Sequence, residues 1–93
     1  MIKSFKCKET KKLFQRKVSH KLQIDIQRLA MRKLWLIDAA ENINDLRIPP
    51  SNQLEKLKGD RKGQYSIRIN NRWRICFEWR GNNSFKVEII DYQ

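Results

Sequence analysis

The chain has one histidine, His20, two cysteines, Cys7 and Cys76, two prolines and three glycines in 93 residues. Two thiols this far apart make no disulfide framework, and with a single imidazole they make no zinc site. They are expected as free thiols in a reducing compartment. No Walker-type loop, GxSxG or HExxH occurs, so neither a metal nor a nucleotide cofactor is expected. The longest apolar run, Leu34 to Ile37, is four residues, far short of the ~20 of a membrane-spanning helix. Met1 is followed by Ile-Lys-Ser-Phe-Lys without an apolar h-region. No secretory signal is therefore expected, and the cytoplasm is the expected location. Repeats and low-complexity tracts are absent. Acids are scarce too, at 10 against 21 bases.

Forty per cent hydrophobic content, including nine aromatics spread from end to end, is enough for one small core and argues against disorder. One domain over residues 1–93 is expected. A net charge of +11 opposes compaction and attracts polyanions, with nucleic acid the leading candidate. A membrane surface fits less well, because no stretch forms a clean basic amphipathic anchor. The charge is uneven: +9 over residues 1–36, −3 over 37–55 and +5 over 56–93. Two basic regions flank one acidic segment.

Met1 to Lys6 reads as a short strand, and Lys8 to about Val18 as a helix carrying Leu13, Phe14 and Val18. Leu22 to Glu41 is the strongest helix signal. Leu22, Ile26, Leu29, Ala30, Leu36, Ile37 and Ala40 form one apolar face at three- and four-residue spacing. Ile24, Met31 and Trp35 form a second stripe. Two faces predict a helix packed on both sides, with a partner-binding patch as the alternative reading of Met31 and Trp35. Leu46 to Gln53 is a loop containing Pro49-Pro50. Leu54 to Lys58 reads as a helical turn or short strand, and Gly59-Asp60 as a turn.

Three strand signals follow. Gln64 to Ile69 places Tyr65, Ile67 and Ile69 on one face, and Asn70-Asn71 suits a two-residue hairpin. Arg72 to Arg80 places Trp73, Ile75, Phe77 and Trp79 together. Phe85 to Tyr92 places Phe85, Val87 and Ile89 together. The expected architecture is α+β: a strand, two helices, then a three-strand antiparallel meander with the helices on one sheet face. Alternation leaves Ser66, Arg68, Arg72, Arg74, Cys76, Glu78, Lys86, Glu88, Ile90 and Tyr92 on the other face. Lys56, Lys58, Arg61 and Lys62 would rim it.

Arg forks bind phosphate bidentately, and tyrosine offers a stacking face or a proton. A solvated strand face is the plainer reading of any one such arginine. Their clustering in a chain of +11 favours RNA or DNA. One chemistry needs no cofactor. An RNA 2′-OH attacks its own phosphodiester when one group removes its proton, another protonates the leaving 5′ oxygen, and cations stabilise the pentavalent phosphate.

The segments Leu57-Lys58-Gly59-Asp60-Arg61, Tyr65-Ser66-Ile67-Arg68, Trp73-Arg74-Ile75 and Asp91-Tyr92 resemble the HigB toxins of the RelE-like superfamily. Ile2-Lys3-Ser4-Phe5 and Asp38-Ala39-Ala40 fit as well, so the resemblance spans the chain. It implies a toxin of a type II toxin–antitoxin module, a bacterial ribosome-dependent mRNA endonuclease acting in the 30S A site without a metal. It implies a HigA-like helix-turn-helix antitoxin as partner, which contacts operator DNA. Lys58 and Arg74 match positions at the scissile phosphate, and Asp91 and Tyr92 match the active-site end of the last strand. Arg61 and Arg68 match basic positions expected to bind RNA, as Lys56, Lys62 and Arg72 are.

The chain departs from this pattern twice. Glu55 stands where some members have His, and Gln93 where the family usually has a terminal His. Glutamine exchanges no proton near neutral pH. Three readings stay open: proton transfer by Glu55, Tyr92 or the terminal carboxylate, an attenuated toxin, or a binding-only relative. A non-catalytic RNA-binding module and an antitoxin co-repressor are the alternative functions. No helix-turn-helix pattern supports direct DNA binding. The basic amino-terminal region, with Lys11, Lys12, Arg16 and Lys17, is expected to meet either ribosomal RNA or an acidic antitoxin.

Overall fold

The computed structural model describes residues 1–17, 19 and 22–91. Val18, His20, Tyr92 and Gln93, named above, lie outside them. The elements are α1 (Lys8–Phe14), α2 (Ile24–Ala39), β1 (Glu55–Lys56), β2 (Gln64–Arg68), β3 (Trp73–Arg80) and β4 (Asn83–Asp91). The strands form one antiparallel sheet in the order β1-β2-β3-β4. No helix among the described residues is long and apolar enough to cross a membrane.

The helix side of the sheet follows the alternation in β2 and β3. Ile67, Ile69, Ile75, Phe77 and Val87 pack with Leu13, Ile26, Ala30, Leu34 and Ile37. Phe77 is fully buried, with Tyr65 stacked at 6.4 Å and Trp79 edge-on at 6.3 Å. Truncating it would cost roughly 3–5 kcal/mol. Thr10 ties α1 to the sheet by accepting the Ile89 N–H at 3.1 Å.

Several expectations need correction. The first segment is not a strand. It touches β4 at two isolated parallel bridges, Ile2 with Ser84 and Phe5 with Val87. Between them β4 carries a bulge: the β3 partner register slips by one residue between Cys76 and Glu78, and Lys86 takes φ 52. The Ser4 hydroxyl accepts the Lys86 N–H at 2.9 Å in place of a ladder bond. The bulge also reverses Phe85, which pairs with Glu78 and so leaves the face of Val87 and Ile89. There the Arg80 guanidinium covers its ring at 4.2 Å.

The first helix ends at Phe14, where Arg16 turns the chain with φ 63. The buried face of α2 is Ile26, Ala30, Lys33, Leu34 and Ile37; Leu29 and Leu36 are exposed. The second stripe is not sandwiched either. Ile24 is 84% exposed, and Met31 and Trp35 are half-buried. Residues 43–47 and 50–52 form short 3-10 turns rather than an irregular loop. The β2–β3 turn is wider than two residues. The Ile69 N–H reaches the Trp73 carbonyl at 2.9 Å, and the Asn70 side chain accepts the N–H groups of Arg72 and Trp73, each at 2.9 Å. Neither Asn70 nor Asn71 takes a positive φ, because the Asn70 side chain closes the turn itself.

Candidate active site on the uncovered sheet face

The site is built on the sheet face away from the helices. One row across it runs Glu55, Ser66, Cys76, Glu88, and the neighbouring row runs Arg68, Arg74, Ile90. The alternation placed Arg74 on this face as an open cation. It is on that face but only 6% exposed. The segment leading into β1 closes over it.

Arg74 is therefore a fixed group. Its Nε donates to Ser66 Oγ at 2.8 Å, and its Nη2 donates to the Gln53 carbonyl at 2.5 Å. Its Nη1 lies 3.8 Å from the half-exposed Glu55 carboxylate. Gln53 offers its carbonyl because it leaves the preceding 3-10 turn in a left-handed conformation, φ 44. No sequence signal marks a main-chain acceptor of this kind. Ser66, fully buried, was visible only as a small polar residue in the alternation.

Lys58 enters from the β1–β2 connection. Leu57 is anchored by its N–H to the Gln64 carbonyl at 2.9 Å, and Gly59 turns the chain with φ 65. Lys56, Lys58 and Lys62 line an open hollow of about 340 Å³ with Leu57 and Gly59. The three ammonium stems thus surround one recess at the rim of the face.

Arg61 folds inward from the same connection. Its Nη1 donates to Gln64 Oε1 at 3.1 Å and to Glu88 Oε2 at 3.3 Å. Lys6 also approaches Glu88, at 3.5 Å. Glu88 is thus a shielded carboxylate between two cations, a position that the alternation showed and the motif comparison passed over. Beneath lies Cys76, whose thiol burial pushes up to about 11, with Arg61, Glu88, Arg74 and Glu55 all near enough to modulate it. Such a thiol stays protonated and is a poor nucleophile.

The basic residues at the far end are tethered. Arg68 donates to the Asn71 side chain. Arg72 sits in the turn, not on the strand face, and holds Asp91 by contacts of 2.8 and 2.7 Å. That pairing raises the Arg72 pKa further above its ordinary range. Asp91 pairs across the sheet with Trp73, just past Ile90 in the Arg74 row. The structure thus gathers Glu55, Arg74 and Arg68 on adjoining rows, sets Lys56, Lys58 and Lys62 at one rim, and puts Arg72 with Asp91 at the other end.

A family described as the RelE-like toxin of the type II toxin–antitoxin system HigB matches residues 3–93. The chain belongs to this HigB-like toxin family. It is 40% identical over 80 residues to Toxin HigB-1 of Vibrio cholerae, covering 85% of this chain and 84% of that one. It is 38% identical over 93 residues to Endoribonuclease HigB of Proteus vulgaris, covering 99% of each. Among solved structures, the heterotetrameric YoeB-YefM toxin–antitoxin complex from Staphylococcus aureus aligns with a TM-score of 0.62. It does so at 24% identity, over all of this chain and 95% of that one. A second YoeB-YefM complex from Staphylococcus aureus aligns with a TM-score of 0.56. These two share the HigB-like fold of helices against an antiparallel sheet.

Proposed function

We propose that residues 1–93 act as a single toxin domain that cleaves RNA on the uncovered sheet face. The observation that carries this reading is the fixed Arg74 fork, held by Ser66 and Gln53 with the Glu55 carboxylate 3.8 Å away. A pre-oriented cation beside a carboxylate offers charge stabilisation and a candidate base, two of the groups that transesterification of RNA uses. Arg74 and Lys58 stabilise the charge on the pentavalent phosphate. Glu55 takes the 2′-OH proton as the 2′ oxygen bonds to phosphorus. The bond to the 5′ oxygen breaks, and that oxygen leaves with a proton from Tyr92 or a neighbouring acid. A 2′,3′-cyclic phosphate and a 5′-hydroxyl result. Lys56, Lys62, Arg61, Arg68 and Arg72 hold the flanking backbone, with Asp91 orienting Arg72. Cys76 takes no part.

In this reading the substrate is messenger RNA in the 30S A site of a translating ribosome in the bacterial cytoplasm. The protein partner is a HigA-like helix-turn-helix antitoxin, which carries the complex to operator DNA. The name of the Proteus relative and the family to which this chain belongs support the nuclease reading.

Gln93 supports a second reading, a toxin attenuated or limited to RNA binding, because its amide transfers no proton. Growth arrest on induction of this chain and of Gln93→His separates the two. Arrest by both supports an active enzyme. Arrest by the His variant alone supports attenuation. Arrest by neither leaves a binding module.

A further inference from the structure

The helix layer carries a feature that the nuclease reading leaves unused. Between α1 and α2 lies an open groove of about 330 Å³, with Leu13, Met31 and Trp35 as its apolar floor and Arg16, Lys17 and Arg28 as its rim. Ile24, Arg28, Met31 and Trp35 fall at successive turns of one α2 stripe, so the 84% exposed Ile24 extends the floor beyond the groove. One exposed isoleucine alone is ordinary; here it continues the Met31 and Trp35 floor, and a contiguous apolar stripe is what a partner covers. One rim residue also packs on the floor. The Arg16 guanidinium lies 4.7 Å over the Trp35 ring.

We propose that this groove docks an acidic amphipathic segment of the antitoxin. The identity of the partner rests on the toxin–antitoxin reading above; the chemistry of the segment rests on the groove. An apolar floor with a cationic border fits a chain that presents apolar side chains inward and carboxylates outward. RNA fits less well, because the cationic rim would hold its phosphates but the open floor at Met31 and Ile24 would be left without an apolar partner. A second copy of this chain fits poorly too, since it would set two cationic rims against each other. Core side chains of β2 and β3 lie between this groove and the Arg74 face, so the groove is a separate surface from the proposed nuclease site.

The test titrates the full chain with a purified HigA-like antitoxin, and measures RNA cleavage and ribosome binding in parallel. The variants are Arg16→Glu with Arg28→Glu, and Ile24→Asp, which acts at an exposed position and keeps the fold. The charge-reversal pair is expected to weaken antitoxin binding at least tenfold and to reduce its salt dependence. Ile24→Asp is expected to weaken binding several-fold, and cleavage by both variants stays at the wild-type level. Wild-type affinity in both variants overturns the proposal, as does retained antitoxin binding with lost ribosome binding, which would make the groove an RNA surface. If the wild-type chain itself ignores the antitoxin, the partner reading fails with it. If the wild-type chain binds antitoxin but cleaves nothing, only the nuclease reading fails.

Discussion

Arg68 and Arg74 stand directly opposite each other on β2 and β3. Like charges at paired strand positions destabilise a sheet, so the pair is a cost in the free chain that a bound phosphate would relieve. Arg68→Thr should therefore raise the urea midpoint of the free protein slightly while weakening RNA binding. A filter-binding titration beside an unfolding curve checks both. Lower stability together with unchanged RNA affinity would refute this view of the pair.

Glu55 is the only carboxylate found within 4 Å of the Arg74 fork among the described residues. If it is the base, Glu55→Gln lowers single-turnover cleavage by roughly 10²–10⁴-fold. Binding of uncleavable RNA should change little. Unchanged cleavage removes Glu55 from the mechanism.

The limits of sequence reading are plain at this same face. Alternation in β3 placed Ile75 and Phe77 under the helices and Arg74 opposite them, because period two is intrinsic to a paired strand. It could not show that Arg74 is covered, since the cover is a Gln53 carbonyl brought in by a turn. Nor could it show that Phe85 changes face, since the bulge sits at Lys86, which has no local preference for a positive φ. The α2 pattern misplaced Leu29 and Leu36 for another reason. Lys33 takes a buried position that an apolar count leaves out, and its partner Asn52 lies in a segment read as loop.

That lysine makes a stability prediction. The Lys33 ammonium donates to Asn52, whose amide donates to the Leu46 and Ile48 carbonyls at 3.1 and 3.3 Å. Asn52→Ala should cost about 1–3 kcal/mol by leaving buried polar groups unpaired. Burial, and then Arg68, lower the Lys33 pKa from 10.5. The folded chain thus releases this proton at a lower pH than the unfolded chain. This group's contribution to stability rises with pH from the lowered value up to 10.5 and is smallest below it. Lys33→Met should flatten that slope in urea unfolding at stepped pH; an unchanged slope would show that another group sets it.

Cys76 is fully buried with its thiol pushed up to about 11, whereas Cys7 is half-buried. At pH 8 iodoacetamide should modify Cys7 first and reach Cys76 only on unfolding. Mass spectrometry of the native and urea-treated protein reads this directly. Rapid native labelling of Cys76 would mean that the Arg61–Glu88 cover opens readily.

The most direct test of a nuclease on the uncovered face is single-turnover cleavage of message on programmed ribosomes by the wild-type chain and by Lys58→Met. Lys58 is exposed on its connection, so the variant keeps its fold. The wild-type chain should cut in the A-site codon, and Lys58→Met should cut roughly 10²–10³-fold more slowly. Equal rates for the two, or an intact message with the wild-type chain, would contradict the account.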